Sequence, residues 1–403
     1  MLSRTTTFWV IVGAYLALMI AASTPSPLYV VYQSKWHFPT STLTVIFGVY
    51  AVALLLALLT VGGLSDFVGR RPVLIAALAL LAVAMVVFAL ARGVAWLYVA
   101  RILQGLAGGA AVGTLSAGIV DLAPPGQTRL ANLLNALIPS FGLGVGALIA
   151  GAFAEWAPVP TVSVYVVVAI AVAVLVALLA FAPEPEQPRR GALASLTPRV
   201  RIARPVRGAF LRAAPALFAP WAQMGFTLSL LVSLTSVQFG ITNRFESGLV
   251  VVSVCLAGTV SGFALREATP ARSTNLGSIA LIIGSVLTLA GLHDDSLAVF
   301  VLGSAVGGLG LGAALSGSIR TLSALPAPEE RGEFFAGVYV VGYLAFSIPA
   351  VLAGFAAVHF GLLHTSYVYG LGIIVLALSV LAQSVPAPAF GTRPVPVKVK
   401  CRD

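Results

Sequence analysis

Long apolar runs fill almost the whole sequence, and each is long enough to cross a lipid bilayer. A transmembrane helix needs about 20 mostly apolar residues, and this chain is 59% hydrophobic and only 9% charged. The composition excludes a water-soluble globular domain. It predicts an all-α membrane protein with twelve transmembrane helices, predicted spans 1 to 12, near 8–33, 41–64, 72–91, 95–120, 128–153, 160–182, 214–239, 246–265, 273–292, 296–318, 333–357 and 364–385.

A stretch rich in proline and arginine separates predicted spans 6 and 7, and the sequences on its two sides repeat. "TVGGLSDFVGRRP" at Thr60 lies 199 residues before "TVSGFALREATPA" at Thr259. The same offset relates Gly108, Gly109 and Gly113 to Gly307, Gly308 and Gly312. Ordered matches at one offset indicate a duplication. We predict two pseudo-symmetric six-helix bundles, 1–185 and 213–386, with a cytoplasmic linker, 186–212, and a cytoplasmic tail, 387–403.

The basic residues concentrate on one side of the predicted spans. Of the 23 Lys and Arg residues, only Lys35, Arg92 and Arg244 fall in loops of the other side, and Arg101 lies within a span. Positively charged loops stay on the cytoplasmic side of a membrane, so both termini are predicted to be cytoplasmic. The net charge of +10 therefore reflects topology, and we expect no nucleic-acid partner.

Polar side chains are unevenly distributed among the predicted spans. Spans 3 and 6 have almost none and are predicted to face lipid, whereas spans 1, 4, 5 and 7 have several. Polar residues inside a membrane usually face the bundle interior or a water-filled cavity. We therefore predict a cavity between the two bundles, lined by Tyr29, Tyr32, Gln33, Arg101, Gln104, Asn135 and Gln223.

Groups that catalysis would need are missing from the sequence. No Asp or Glu lies deep within a predicted span, and neither a phosphate-binding Gly-Lys loop nor a metal-ligand spacing occurs. The sequence predicts that the protein is not an enzyme and has no cofactor and no metal.

The loop between predicted spans 2 and 3 has the most specific motif, "GGLSDFVGRR". Gly62, Asp66, Gly69, Arg70 and Arg71 match the pattern Gly-x-x-x-Asp-x-x-Gly-Arg-Arg/Lys, and the loop resembles the signature of the major facilitator superfamily. The resemblance implies a latch that joins the two halves on the cytoplasmic side in the outward-facing state. In this latch the aspartate faces the start of span 11, near 333–336, and the first arginine pairs with an acid at the end of span 4, here Asp121.

The second copy of this loop lacks the charge pattern, because Leu265 and Thr269 stand at the positions of the aspartate and the first arginine. The predicted latch is therefore one-sided. The alternative is that the charges of the first copy only mark a cytoplasmic loop.

Two further stretches resemble family signatures. "RILQGLAGGAA", from Arg101, is similar to the span 4 pattern, in which the arginine influences proton transfer. A structural role, bonding backbone carbonyls of span 1 or 2, is an equal alternative. "GLGVGALIAG", with Gly142, Gly146 and Gly151, is similar to the span 5 signature of antiporters, although Ala147 and Ala150 replace a proline and a glycine. Tight helix packing is the alternative for these glycines.

The resemblance to the twelve-helix drug-efflux branch of bacterial transporters implies a secondary active transporter that works by alternating access. We predict export of small amphipathic molecules across the bacterial cytoplasmic membrane, of the multidrug efflux and antiport type, by a monomer with protons as the coupling ion. Uptake of a small metabolite is the alternative, and a membrane-embedded enzyme or sensor is a weaker one.

Overall fold

The structure is a computed structural model that describes residues 2–184, 192–197, 202–326 and 331–384. The described chain forms twelve spans: 1 (Arg4–Ser23 and Pro25–Trp36), 2 (Thr40–Val61), 3 (Arg70–Ala89), 4 (Val94–Asp121), 5 (Thr128–Trp156), 6 (Pro160–Leu179), 7 (Arg204–Ser229 and Leu231–Gln238), 8 (Arg244–Ala264), 9 (Pro270–His293), 10 (Leu297–Ser323), 11 (Arg331–Phe360) and 12 (Leu362–Ser384). Eleven of them are long and apolar enough to cross a membrane, and span 7 is the twelfth if its two helices, bent by 49°, count as one. The predicted all-α, twelve-span architecture is confirmed.

The helix of span 7 begins ten residues before the predicted start at 214. Residues 204–212 of the predicted linker therefore continue span 7 as helix, and Ala192–Ser195 forms a short helix of its own. Ser65–Val68 forms another short helix in the loop between spans 2 and 3. The predicted tail, 387–403, and the linker residues 186–191 and 198–201 lie outside the described residues.

The two halves, spans 1–6 and spans 7–12, use the same set of helix contacts. Span 4 packs against spans 2 and 3, and its counterpart, span 10, packs against spans 8 and 9. Likewise, spans 3 and 6 pair as spans 9 and 12 do, and spans 1 and 5 pair as spans 7 and 11 do. This correspondence is the packing equivalent of the sequence repeat.

The spans begin and end at two faces, which we call the terminal face (at Arg4, Val61 and Asp121) and the distal face (at Trp36, Ala89 and Trp156). The halves contact each other mainly through spans 5 and 8 and through spans 2 and 11. The contact of spans 2 and 11 includes the rings of Phe47 and Phe346, whose centroids are 4.7 Å apart. Spans 4 and 10, both described over their full length, make no extended contact.

Candidate functional site

A break in span 1 creates the main buried polar cluster of the N-terminal half. The first helix ends at Ser23, and Pro25 starts the second. Proline has no N–H, so the carbonyl of Ala21, four residues before Pro25, lacks its usual helical donor. Span 4 supplies the replacement, because Gln104 Nε2 donates to the Ala21 carbonyl at 2.7 Å. Such side-chain partners are what make a broken helix tolerable inside a membrane.

Arg101, one turn before Gln104, also donates to a carbonyl at the break in span 1, and its side chain is only 1% exposed. Its Nη1 donates to the Ala22 carbonyl at 3.1 Å and to Gln104 Oε1 at 2.6 Å, and its Nε donates to the Tyr29 hydroxyl at 2.6 Å. Its Nη2 is buried without a hydrogen-bond partner. The guanidinium is therefore held between spans 1 and 4.

The charge of Arg101 is balanced without a carboxylate among the residues that the structure describes. The guanidinium carbon lies 5.0 Å from the ring centroid of Tyr50, 5.4 Å from that of Tyr29 and 6.0 Å from that of Phe88, distances at which aromatic faces attract cations. The carbonyls at the end of Arg4–Ser23 add the negative end of a helix dipole. This geometry corresponds to the structural alternative for Arg101, a bond to span 1 carbonyls.

Four other residues predicted to line the cavity make contacts of their own, apart from the Arg101 hydrogen bonds. Tyr32 is buried and stacks on Trp36 at 4.9 Å, while half-buried Gln33 Nε2 reaches the Phe38 carbonyl at 3.5 Å. Asn135 Nδ2 donates to the Ser116 carbonyl at 2.8 Å, which joins span 5 to span 4 nearer the terminal face. Gln223 is buried on span 7, where a β-carbon at Gly307 would lie 3.6 Å from its amide nitrogen.

An aromatic cluster between the halves was missed by the sequence analysis. Trp221 of span 7 lies 4.9 Å from Tyr343 and 6.1 Å from Phe346 of span 11, measured between ring centroids. Tyr339 lies 6.5 Å from Tyr343. Tyr15 and Tyr50 approach this group from spans 1 and 2. Polar-residue counting overlooked the cluster because Trp221 and Phe346 count as apolar and because the group assembles from four separate spans.

The tyrosine hydroxyls of this cluster are unbonded and not fully enclosed. The hydroxyls of Tyr15, Tyr50, Tyr339 and Tyr343 make no hydrogen bond with any described residue. Each of these hydroxyl oxygens also keeps some exposed surface. A surface of indole, phenol and benzyl rings with free hydroxyls can pack against an apolar body and hydrogen-bond its polar edge. We call these six residues, Tyr15, Tyr50, Trp221, Tyr339, Tyr343 and Phe346, the central aromatic cluster.

The loop motif forms an ion-pair cluster at the terminal face, within the N-terminal half. Arg70 pairs with Asp121 at the end of span 4, and Arg4 Nη2 donates to the Asp121 carbonyl at 2.6 Å. Gly69, at φ +100°, has the left-handed backbone that favours glycine. Arg71 Nη2 donates to the Ala180 carbonyl at the end of span 6.

Glu184 completes this cluster and was not anticipated from the motif. Its carboxylate accepts hydrogen bonds from the backbone N–H groups of Arg70 and Arg71 at 2.9 and 3.0 Å. It thus caps the start of span 3, where free N–H groups and the helix dipole favour an anion. Its position after the last apolar residues of span 6 gave no local signal of this partner.

None of the described side-chain contacts of the predicted latch residues joins the two halves in this state. Asp66 is exposed, and its side chain makes no hydrogen bond or ion pair with any described residue, including those at 333–336. Gly62 ends span 2 with helical dihedral angles, and the three atoms nearest to a β-carbon there all belong to Leu58 of its own helix.

In the C-terminal half, the loop after span 8 is also bound by a charged residue at the end of the half's fourth span. This residue is an arginine, whereas in the N-terminal half it is the aspartate Asp121. Arg320, at the end of span 10, stands 199 residues after Asp121. Its guanidinium donates to the carbonyls of Leu265, Arg266 and Ala268 and to the Ser273 hydroxyl, at 2.7–3.3 Å. An arginine on the helix and carbonyls in the loop replace the carboxylate and the loop arginine of the first half.

Spans 5 and 8 join the halves from one face to the other. Near the distal face, Glu155 accepts a hydrogen bond from the Arg244 backbone N–H at 2.9 Å. Midway, the Ser140 hydroxyl donates to the Cys255 carbonyl at 2.8 Å. At the terminal face, Arg129 pairs with Glu267, although both side chains are mostly exposed.

The three glycines of span 5 that were predicted to pack against other helices contact two different spans, 1 and 8. Gly142 packs against Leu16 and Met19 of span 1, and Gly146 packs against Ile20 and Ser23 of the same span. Gly151 faces span 8, where its β-carbon would lie 3.0 Å from the Arg244 carbonyl oxygen.

Comparisons with solved structures agree with the fold. The human organic anion transporter MFSD10 (TETRAN) superposes with a TM-score of 0.69 at 16% identity, covering 94% of this chain and 100% of its own. A bacterial homologue of the human lysosomal transporter Spinster, in an inward-facing and unoccupied conformation, gives 0.75 at 14% identity, with coverage of 94% and 97%. A POT family transporter in complex with 5-aminolevulinic acid gives 0.77 at 12% identity, with coverage of 94% and 96%. These identities establish a shared fold alone.

Sequence comparison identifies the family directly. No curated protein sequence matches the chain. The family model described as Major Facilitator Superfamily matches residues 11–290, which is more than half of the 403-residue chain. Its members are membrane transporters and not enzymes. This chain therefore belongs to the Major Facilitator Superfamily and is a secondary transporter of the membrane.

Proposed function

We propose that the protein exports small amphipathic molecules from the bacterial cytoplasm, as a monomeric transporter of the multidrug efflux type with both termini cytoplasmic. The central aromatic cluster is the observation that carries the substrate class. Its rings offer apolar faces, its four free hydroxyls offer weak hydrogen bonds, and no described carboxylate lies among them. Such a surface suits flat molecules that are neutral or weakly anionic.

The contacts between the halves support alternating access. The halves touch near the distal face through spans 2 and 11 and along the whole of spans 5 and 8, whereas spans 4 and 10 stay apart. If the terminal face is cytoplasmic, as the basic loops favour, this state is inward-facing. Its conversion to an outward-facing state would bring the terminal ends together, where Asp66 is free to contact span 11.

The direction of transport rests on the loop and helix signatures, which resemble those of drug exporters. A carboxylate buried deep in a span would be the simplest proton-coupling group, but the described spans contain none; Glu155 and Asp121 lie at helix ends. A proton coupled to transport would therefore have to act at one of these ends or through the Arg101 cluster.

Accumulation of a fluorescent amphipathic dye in an efflux-deficient bacterial strain tests the proposal. Cells that express the protein should accumulate less dye than cells without it, and Tyr343→Ala should restore accumulation at equal membrane abundance. Tyr98→Ala is the matched control, because Tyr98 lies on span 4 outside the central aromatic cluster. Higher accumulation in expressing cells would instead support uptake, and equal accumulation across a panel of amphipathic dyes would refute the proposed substrate class.

A further inference from the structure

A groove of about 830 Å³ lies between spans 7, 11 and 12, away from the central aromatic cluster. Its walls include Phe218 of span 7, Pro349 and Leu352 of span 11, and Val368 and Ile373 of span 12. Its volume is within the range of small-molecule sites, about 300–1,000 Å³. The groove is therefore large enough for a ligand.

The groove opens to the outside of the helix bundle. Leu352, Phe360 and Val368, at its edge, are 63%, 72% and 71% exposed. Large apolar side chains with this exposure on a transmembrane helix face hydrocarbon, because water would make their exposure unfavourable. A ligand would thus enter from the bilayer and not from the contact between the halves.

The interior of the groove has no free polar group among its described lining side chains. The Thr365 hydroxyl donates to the Gly361 carbonyl at 2.9 Å, and the Tyr369 hydroxyl donates to the Ala222 carbonyl at 2.9 Å. The other interior residues are apolar. A polar ligand would lose its hydration without gaining partners, whereas a hydrocarbon chain would lose nothing.

Two histidines stand at the distal rim of the groove. His359 is in the last turn of span 11 and His364 in the first turn of span 12, on either side of the turn at Gly361. Both are exposed, and His364 lines the groove. Their imidazole N–H groups lie at the end of the spans, where lipid head groups are found, and can donate hydrogen bonds to phosphate oxygens.

We propose that this groove binds one acyl chain of a phospholipid from the distal leaflet, with the lipid phosphate beside His359 and His364. The bound chain supports span 11 from the side opposite span 2, where Thr44 packs against Gly354 and Phe47 against Phe346. The lipid therefore stabilises the contact that closes the distal face.

Filling the groove by mutation tests the proposal. Gly372 lines the groove, and a β-carbon there meets no atom within 4 Å, so Gly372→Phe places a ring in the cavity without a backbone clash. Gly262→Phe is the matched control, because Gly262 of span 8 also has open space around its β-carbon and lies outside the groove. Native mass spectrometry of the full chain, purified with phosphatidylethanolamine and phosphatidylglycerol, counts the retained lipids.

The wild-type protein and Gly262→Phe should retain one more phospholipid than Gly372→Phe does, and His359→Gln/His364→Gln should retain it more weakly. Equal lipid counts in all variants would overturn the proposal. If Gly372→Phe does not fold, photolabelling of the wild-type protein replaces this comparison. The protein is reconstituted in vesicles that contain a phosphatidylcholine with a photoreactive acyl chain. Labelling should concentrate in residues 349–376, and uniform labelling of all exposed spans would show ordinary bilayer contact only and overturn the site.

Discussion

Replacing Gln104 with leucine tests whether span 4 repairs the break in span 1. The substitution keeps the size of the side chain but removes the donor to the Ala21 carbonyl and the acceptor for Arg101 Nη1. A buried group left without a partner costs about 1–3 kcal/mol in water-soluble proteins, and interhelical hydrogen bonds in a membrane protein average about 0.6 and reach about 1.7 kcal/mol. Since one of the two bonds involves a charged group, we expect Gln104→Leu to lower the free energy of unfolding by about 1.5 kcal/mol.

The physical reason for this loss can be isolated with Pro25→Ala. Alanine restores the backbone N–H that a continuous helix would donate to the Ala21 carbonyl, so this carbonyl no longer depends on Gln104. In the Pro25→Ala background, Gln104→Leu should therefore cost less, with a coupling energy of at least about 0.5 kcal/mol.

Reversible unfolding in mixed detergent and SDS micelles, followed by tryptophan fluorescence, measures all four members of this cycle. Gln238→Leu is the control for the same chemical change, because Gln238 reaches only Asp295, at 3.4 Å near the surface, and should change stability by less than about 0.5 kcal/mol. An equal cost of Gln104→Leu with and without Pro25 would refute the assignment of Gln104 to the break.

Three further substitutions test the charged residues. Arg101→Lys should abolish transport nearly as fully as Arg101→Ala at equal membrane abundance, because one ammonium group cannot reproduce the planar set of donors; normal transport by Arg101→Lys would contradict this. Asp66→Asn should leave the stability in detergent within about 0.5 kcal/mol of wild type yet slow transport, since Asp66 has no partner in this state among the described residues; transport at the wild-type rate would make Asp66 an ordinary loop charge. Glu184→Gln should lower the free energy of unfolding by about 0.5 kcal/mol, a small value because the site is partly exposed to solvent. A melting temperature equal to that of wild type would argue against the role of Glu184 as a cap of span 3.

The transmembrane spans were predicted from the sequence, because a span depends on the residues within it and not on distant parts of the chain. Each span is marked by its own apolar run, so their number and order followed from composition and length alone. The start of span 7 was misplaced because Arg204–Arg212 contains three arginines and a proline, and it therefore reads as a polar link. Val206 and Phe210 of this segment belong to an apolar cluster with Leu322 of span 10 and Phe334 of span 11, and this tertiary packing favours the helix.

Most partners that come from distant segments were not predicted; the Arg70–Asp121 pair followed from the family motif, and bonds from Arg101 to span 1 carbonyls were one of two alternatives. Arg101 and Gln104 were recognised as special, but nothing local shows that their partners are the Ala21 and Ala22 carbonyls beside Pro25. Glu184 and Arg320 likewise acquire their roles only when span 6 meets span 3 and span 10 meets the loop after span 8. Long-range pairing depends on packing geometry, which hydropathy does not encode.

The contact of spans 5 and 8 has a mechanical consequence that follows from its small side chains. Gly144 faces Cys255, Gly151 faces Gly248, and Gly258 faces Ser140. Interlocked side chains would have to disengage before one helix could move along another, whereas surfaces of glycine and serine present little relief. Relative motion of the two helices is therefore opposed at these points less by side-chain relief than by the Ser140–Cys255 and Glu155–Arg244 hydrogen bonds, which must break or exchange partners when the helices move.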